Sequence, residues 1–169
     1  MTVIQALLES WRRQAQIIDN IASLMDDRLL DYRLGEDEWI LAHHLAHINH
    51  TRRYWLNTVT GEENPSIVSL YTKVGEDYVP SRDLNEIRAA LKASAAALEK
   101  FFAESLEDPE RPIKQYEHPV FFIQHMIWHE GYHYGVLNLA LRLAGSEPSE
   151  EWEEKHVWEL WRGVEVWEG

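Results

Sequence analysis

His129 and His133 stand four residues apart in a long apolar run, as His129-Glu130-Gly131-Tyr132-His133. On an α-helix that spacing places both imidazoles on one face, a turn apart, which is how a helix offers two nitrogens to one metal ion. At about 100° per residue, Phe122, His133, Val136 and Ala140 fall within roughly 40° of His129, so the pair is expected at the centre of the buried face. A neutral imidazole buried without a partner is costly, and two facing one interior spot more so. Metal ligation would satisfy both; the plainer reading is a pair of hydrogen-bonded core histidines. Taken literally the five residues also spell HExxH, in which two histidines hold zinc and the glutamate acts as a base.

The chain carries nine histidines, and seven of them form two groups: His43, His44, His47 and His50, then His125, His129 and His133. His125 extends the second stripe, but eight residues of helical rise, roughly 12 Å, separate it from His133. Three such side chains cannot converge on one ion with bonds of about 2 Å, so a third ligand must come from the first group. There Leu41, Leu45, Ile48, Trp55 and Val59 define an apolar face. His44 lies nearer that face, His47 at its margin, and His43 and His50 further round. Amphipathicity slightly favours His44.

Four helical segments are expected to position these groups. The first runs from Val3 to Leu29 with apolar residues at three- and four-residue spacing, and the second from Glu36–Glu38 to Val59, before Gly61. A linker from Gly61 to Pro80 follows, broken by Pro65, Gly75 and Pro80, whose Ile67, Val68, Leu70, Tyr71, Val74 and Tyr78 are expected to pack on the body. The third helix opens at Ser81, read as the N-cap, and continues to about Ala103. Asp108-Pro109 and Arg111-Pro112 break the chain again. The fourth spans Pro119 to Ala144 and stops at Gly145. With strand signals nearly absent, the expected fold class is all-α, an antiparallel four-helix bundle over residues 1–145. Residues 146–169 form an acidic tail bearing Trp152, Trp158, Trp161 and Trp167 among Val157, Leu160 and Val164. Such aromatics are expected to cover the bundle or a second subunit, as in a homodimer.

Composition narrows the chemistry. With no cysteine, disulfides, thiolate ligands and a cysteine nucleophile are excluded, so any metal must be held by histidine and carboxylate. The net charge of −13, from 16 basic and 29 acidic residues, leaves no basic surface for nucleic acid and argues against adhesion to anionic lipid. No apolar run reaches the roughly 18 residues of a membrane span, and the N-terminus lacks a signal-peptide pattern, so a cytoplasmic protein is expected.

Two stretches resemble the motifs of the DinB/YfiT-like superfamily of small helical metalloproteins. Trp39-Ile40-Leu41-Ala42-His43-His44-Leu45-Ala46-His47-Ile48 is similar to its W-S-x-x-E-x-L-x-H-L pattern. His129-Glu130-Gly131-Tyr132-His133-Tyr134-Gly135-Val136 is similar to its H-x-x-x-H-x-G-Q pattern. The resemblance covers about Val3 to Gly145 and not the tail. It implies a divalent metal, zinc or nickel, held by His47, His129 and His133, and so selects His47 over His44. Ile40, His43, Tyr134 and Val136 replace the customary Ser, Glu, Arg and Gln. None of these is an expected ligand, but each alters a group that could shape the surroundings of the site.

Three neutral imidazoles would leave the ion dipositive with an open position, suited to acidifying water or a thiol. By resemblance the expected function is a metal-dependent transferase, or related enzyme, acting on a small molecule with a low-molecular-weight thiol as cofactor. Glu130, a neighbour of a ligand, points about 100° away from His129 and is expected to be a surface or inter-helix carboxylate rather than a catalytic base. The alternative from another class is an HExxH metallopeptidase, against which stand Gly131 within the motif and the lack of a strand to align a peptide. A third reading is a metal-stabilised dimeric bundle without catalysis.

Overall fold

The computed structural model describes the whole chain except Asp37, Pro109, Arg111, Pro112 and residues 163–169. Val164 and Trp167 of the tail, and three residues of the Asp108–Pro112 break, therefore lie outside the described residues.

Helix α1 (Val3–Ala22) opens on a capping box: the Thr2 hydroxyl accepts from the Gln5 N–H, and the Gln5 side chain accepts from the Thr2 N–H. It does not continue to Leu29. Asp26 turns its carboxylate on the Leu29 N–H at 2.8 Å and starts a separate short helix, α2 (Asp27–Leu30). An aspartate able to cap its own downstream backbone competes with helix continuation. The apolar periodicity survives the break, with Met25, Leu29 and Leu30 all buried.

Helix α3 (Leu41–Thr60) begins later than the acids Glu36 to Glu38 suggested. An Arg33–Ile40 bridge and a Leu41 N–H bond to the Tyr32 carbonyl at 2.9 Å hold the intervening residues as a loop, with Trp39 at its exit. Gly61, at φ +76°, closes α3 in the left-handed conformation that glycine tolerates best.

The linker is not irregular throughout. Strands β1 (Tyr71–Val74) and β2 (Asp77–Pro80) pair antiparallel, Tyr71 opposite Pro80 and Val74 opposite Asp77, around a turn at Gly75 with φ +63°. This hairpin was not expected in the linker, though the chain stays mostly helical; β-branched and aromatic residues flanking a two-residue glycine turn are its local cause. Ile67 and Leu70 are buried as expected, but Val68, Val74 and Tyr78 are exposed.

Asp83, not Ser81, caps helix α4 (Leu84–Glu107), accepting from the Asn85 and Glu86 N–H groups. The helix extends past Ala103 because Phe102, Ser105 and Leu106 still face the core. Helix α5 (Pro119–Leu143) is capped by His118 and has Pro119 in its first turn; Gly145, at φ +68°, follows its end.

The four long helices pack around one interior, α1 and α3 each against α4 and α5. The chain is thus mostly helical with one small hairpin. Its core has two halves. One centres on Ile18, Ile21, Leu45, Ile48, Leu91, Leu137 and Leu141, the other on Trp11, Leu56, Leu98, Phe102, Phe122 and Met126. The tail returns through α6 (Glu150–Glu153), a π-helical turn (Glu154–Trp158) and α7 (Glu159–Arg162). It is tied to α1 by Asn20 Nδ2 donating to the His156 carbonyl at 2.9 Å and to α5 by Asn138 and Arg142 donating to Glu153. Val157 is buried there, whereas Trp158 and Trp161 stay partly exposed. Among the described residues no helix is long and apolar enough to cross a membrane.

Candidate metal centre

Successive turns of α3 and α5 face one another and bring histidines from both together. One ligand nitrogen from each of His47, His129 and His133 lies within 4.8 Å of the other two. His47 Nε2 is 3.3 Å from His129 Nε2, and the Thr51 hydroxyl, one turn along α3, is 3.3 Å from His47 Nε2. His44 Nδ1 meets His133 Nδ1 at 3.1 Å. His44 is thus the more buried of the two α3 candidates, as amphipathicity suggested, but His47 is the one that completes the trio. Burial and convergence are separate properties here. His125 bonds the Tyr116 hydroxyl at 2.6 Å, while His43 and His50 pack against Tyr71, all outside the trio.

Only one of the two α5 histidines keeps to the buried face expected for the pair. Met126, Glu130, His133 and Leu137 lie along its buried line, and His129 is half-buried at the margin. A cavity of about 490 Å³ opens there, lined by Glu38, Trp39, His44, His47, Trp128, His129, Tyr132 and His133. That size is ordinary for a small-molecule site. The Trp39 ring stacks on His43 with centroids 4.2 Å apart and lies 5.1 Å from His47, which braces the loop before α3 against the cluster.

Burial lowers every imidazole of the cluster. It pushes His133 down to about 3, helped by the neighbouring His129, His47 and His44. His129 falls to about 4, through burial and then His47, His125 and Arg52. His44 falls to about 4, through burial and then His43 and His47, and His47 is lowered by burial, His50 and His43. The rings are therefore neutral at neutral pH, each offering one unprotonated nitrogen, the form a metal requires. Moreover, His129 Nδ1 is buried with no hydrogen-bond partner among the described residues. Neutral imidazoles crowded nitrogen to nitrogen, one of them with an orphaned atom, form a donor set that fits a divalent ion.

Glu130 lies in none of this. It is fully buried, not at the surface, and its two oxygens accept from Arg52 Nε at 2.7 Å and Arg52 Nη2 at 2.9 Å. Arg52 Nη1 also donates to the Leu91 carbonyl at 2.6 Å and to Ser94 Oγ at 3.2 Å, and the guanidinium sits 5.3 Å from the Trp11 ring centroid. The pair joins α3, α4 and α5 at the layer between the two halves of the core. Sequence reasoning allowed Glu130 as an inter-helix carboxylate but missed its partner, although Arg52 falls one turn after Ile48 and one turn before Leu56. A charge on that buried stripe requires a partner.

A small helical chain with three convergent histidines on two facing helices belongs to a recognisable class. This chain is a member of the DinB family, whose model matches residues 1–152 and so reaches the first turn of the tail. No curated protein and no solved structure gives a significant match to it.

Proposed function

We propose that this DinB-family protein holds one divalent ion, zinc or nickel, on His47, His129 and His133 of an antiparallel four-helix bundle, and uses it in a transferase or related reaction on a small molecule. The observation that carries this reading is the convergence of the three nitrogens within 4.8 Å beside a cavity of about 490 Å³. When bound, an ion on three neutral imidazoles retains its full charge and an open position, and acidifies a thiol or water held there. The protein's own residues do the rest. His129 and His133 come from consecutive turns of one helix and His47 from its neighbour, so two rigid elements fix the donor geometry. Trp39 and Trp128 wall the space beside them. A low-molecular-weight thiol as co-substrate enters through the family resemblance, and the cytoplasm, proposed as its location, keeps such thiols reduced.

The HExxH reading fits less well. Glu130 does not line the cavity, and Arg52 occupies both of its carboxylate oxygens. A homodimer is also proposed, through the exposed tail residues Trp158 and Trp161. Light scattering at micromolar concentration checks it, and a monomer refutes it.

The site is tested by metal analysis of protein purified without nickel affinity, alongside His47→Ala and His129→Ala. One ion per chain is expected, with affinity falling more than about 100-fold in either variant. Undiminished metal content in both would sink the assignment. Thiol-dependent conjugation of electrophiles, abolished by His133→Ala, is the expected activity. Peptide cleavage lost with Glu130→Gln would favour the peptidase, and neither activity would leave a metal-stabilised bundle.

A further inference from the structure

Three aromatic side chains, Trp39, Trp128 and Tyr132, and one carboxylate, Glu38, border the cavity on the side away from the core. None of the eight lining residues is lysine or arginine. Trp128 and Tyr132 are 72% and 60% exposed, far more than a ring placed for packing alone. They sit four residues apart on α5, on the same helical face, so both rings flank one opening. Trp39 has its orientation set by the stack on His43 and by tilted contacts with His44 and His47, and at 42% exposure it still lines the cavity. Among the described residues no cation pairs with Glu38, so its charge remains uncompensated at the opening. Aromatic faces are electronegative, and rings gathered with a free carboxylate are the chemistry that captures an ammonium or quaternary ammonium group. The chain's net charge of −13 adds a long-range attraction for cations.

We infer that the mouth of this cavity recognises a cationic group, an alkylammonium held by Trp39, Trp128, Tyr132 and Glu38, on a small molecule whose other end reaches the histidine cluster. The inference rests on the proposed site for where the ligand's reactive end goes, but cation recognition is a property of the mouth alone. With an ion at the base, the matching ligand carries a donor of opposite sign at its far end. Its substrate class is therefore a small amine- or trimethylammonium-bearing compound with an anionic or thiol donor.

The test uses the full-length, metal-free protein, in which no bound ion opposes a cationic probe. Choline and its uncharged carbon isostere, 3,3-dimethyl-1-butanol, are titrated while the indole N–H resonances are followed by NMR. Choline is expected to bind about tenfold more tightly than the isostere, with the Trp39 and Trp128 resonances shifting. Glu38→Gln and Trp128→Leu, both at exposed positions, are each expected to reduce that preference severalfold while the remaining indole spectrum stays native. Equal binding of the two probes, or a preference unchanged in the double variant, overturns the inference. Titrating zinc back into the same metal-free preparation and measuring the stoichiometry separates the two claims. One ion per chain without cation preference removes the mouth and leaves the metal centre; cation preference without an ion does the reverse.

Discussion

Two polar clusters lie within a few residues of each other on α3 and α5, and they solve burial in opposite ways. Arg52 and Glu130 are both fully buried, and each charged atom group finds a protein partner: carboxylate with guanidinium, guanidinium with the Leu91 carbonyl and Ser94. The histidine cluster, one residue away along α5, is left with nitrogens facing nitrogens and an orphaned His129 Nδ1, beside an open cavity. The first cluster is closed and joins three helices; the second leaves a donor atom without a partner among the described residues and is the one proposed to take an ion. Glu130 and His129 are neighbours in sequence, yet a rotation of 100° separates structural from chemical duty.

The sharpest way to break this contrast is to remove one partner of the closed pair. Glu130→Ala strands the Arg52 charge between the two halves of the core and is expected to cost about 3–5 kcal/mol in denaturant unfolding. A loss under about 1 kcal/mol would mean that the pair does not hold the helices together. A second effect comes from acid. Folded-state burial lowers His44 and His129 to about 4 and His133 to about 3, below the ordinary histidine value of 6.5. Between pH 6.5 and about 4 the unfolded chain therefore binds more protons than the folded one, so stability of the metal-free protein falls as pH is lowered through that window. A loss of at least about 2 kcal/mol is expected, read as a falling denaturation midpoint, and replacing the histidines by glutamine flattens the profile. The smallest effect belongs to a pair that is neither closed nor open. Asp19 accepts from Arg88 Nε and Nη2, both at 2.9 Å, and faces Lys92 across α1 and α4. Its burial would raise the carboxyl, but Arg88 and Lys92 outweigh that and hold it below the usual range. Because Arg88 is about a third exposed, Asp19→Asn is expected to cost no more than about 1 kcal/mol, and less in high salt.

What the sequence disclosed follows the range of the interactions. Pro119 and Gly145 mark the ends of α5 by local backbone chemistry, and both were legible. So was the His129–His133 pair, since one helix alone sets its spacing. Where α1 stops was not legible from periodicity, because Met25, Leu29 and Leu30 keep the apolar pattern across the Asp26 cap. The hairpin hid within a linker read for its breakers and for apolar residues that pack on the body, not for strand pairing. The choice of His47 over His44 came from the motif resemblance rather than from amphipathicity, which ranks burial and is blind to what α5 places opposite. The Arg52–Glu130 pair and the aromatic mouth each draw on two or more elements, so no single stretch announces either.

The closed pair bears on the order of events in the protein's maturation. Because Arg52 and Glu130 lock α3 to α5 with the chain's own atoms, the register that aligns His47 with His129 and His133 is set before any ion arrives. On the proposed reading of the site, folding would come first and metal loading second, so the ion acquired would reflect what the surroundings supply at that moment. Such a scaffold would be able to lose its metal, or exchange one for another, and keep its shape.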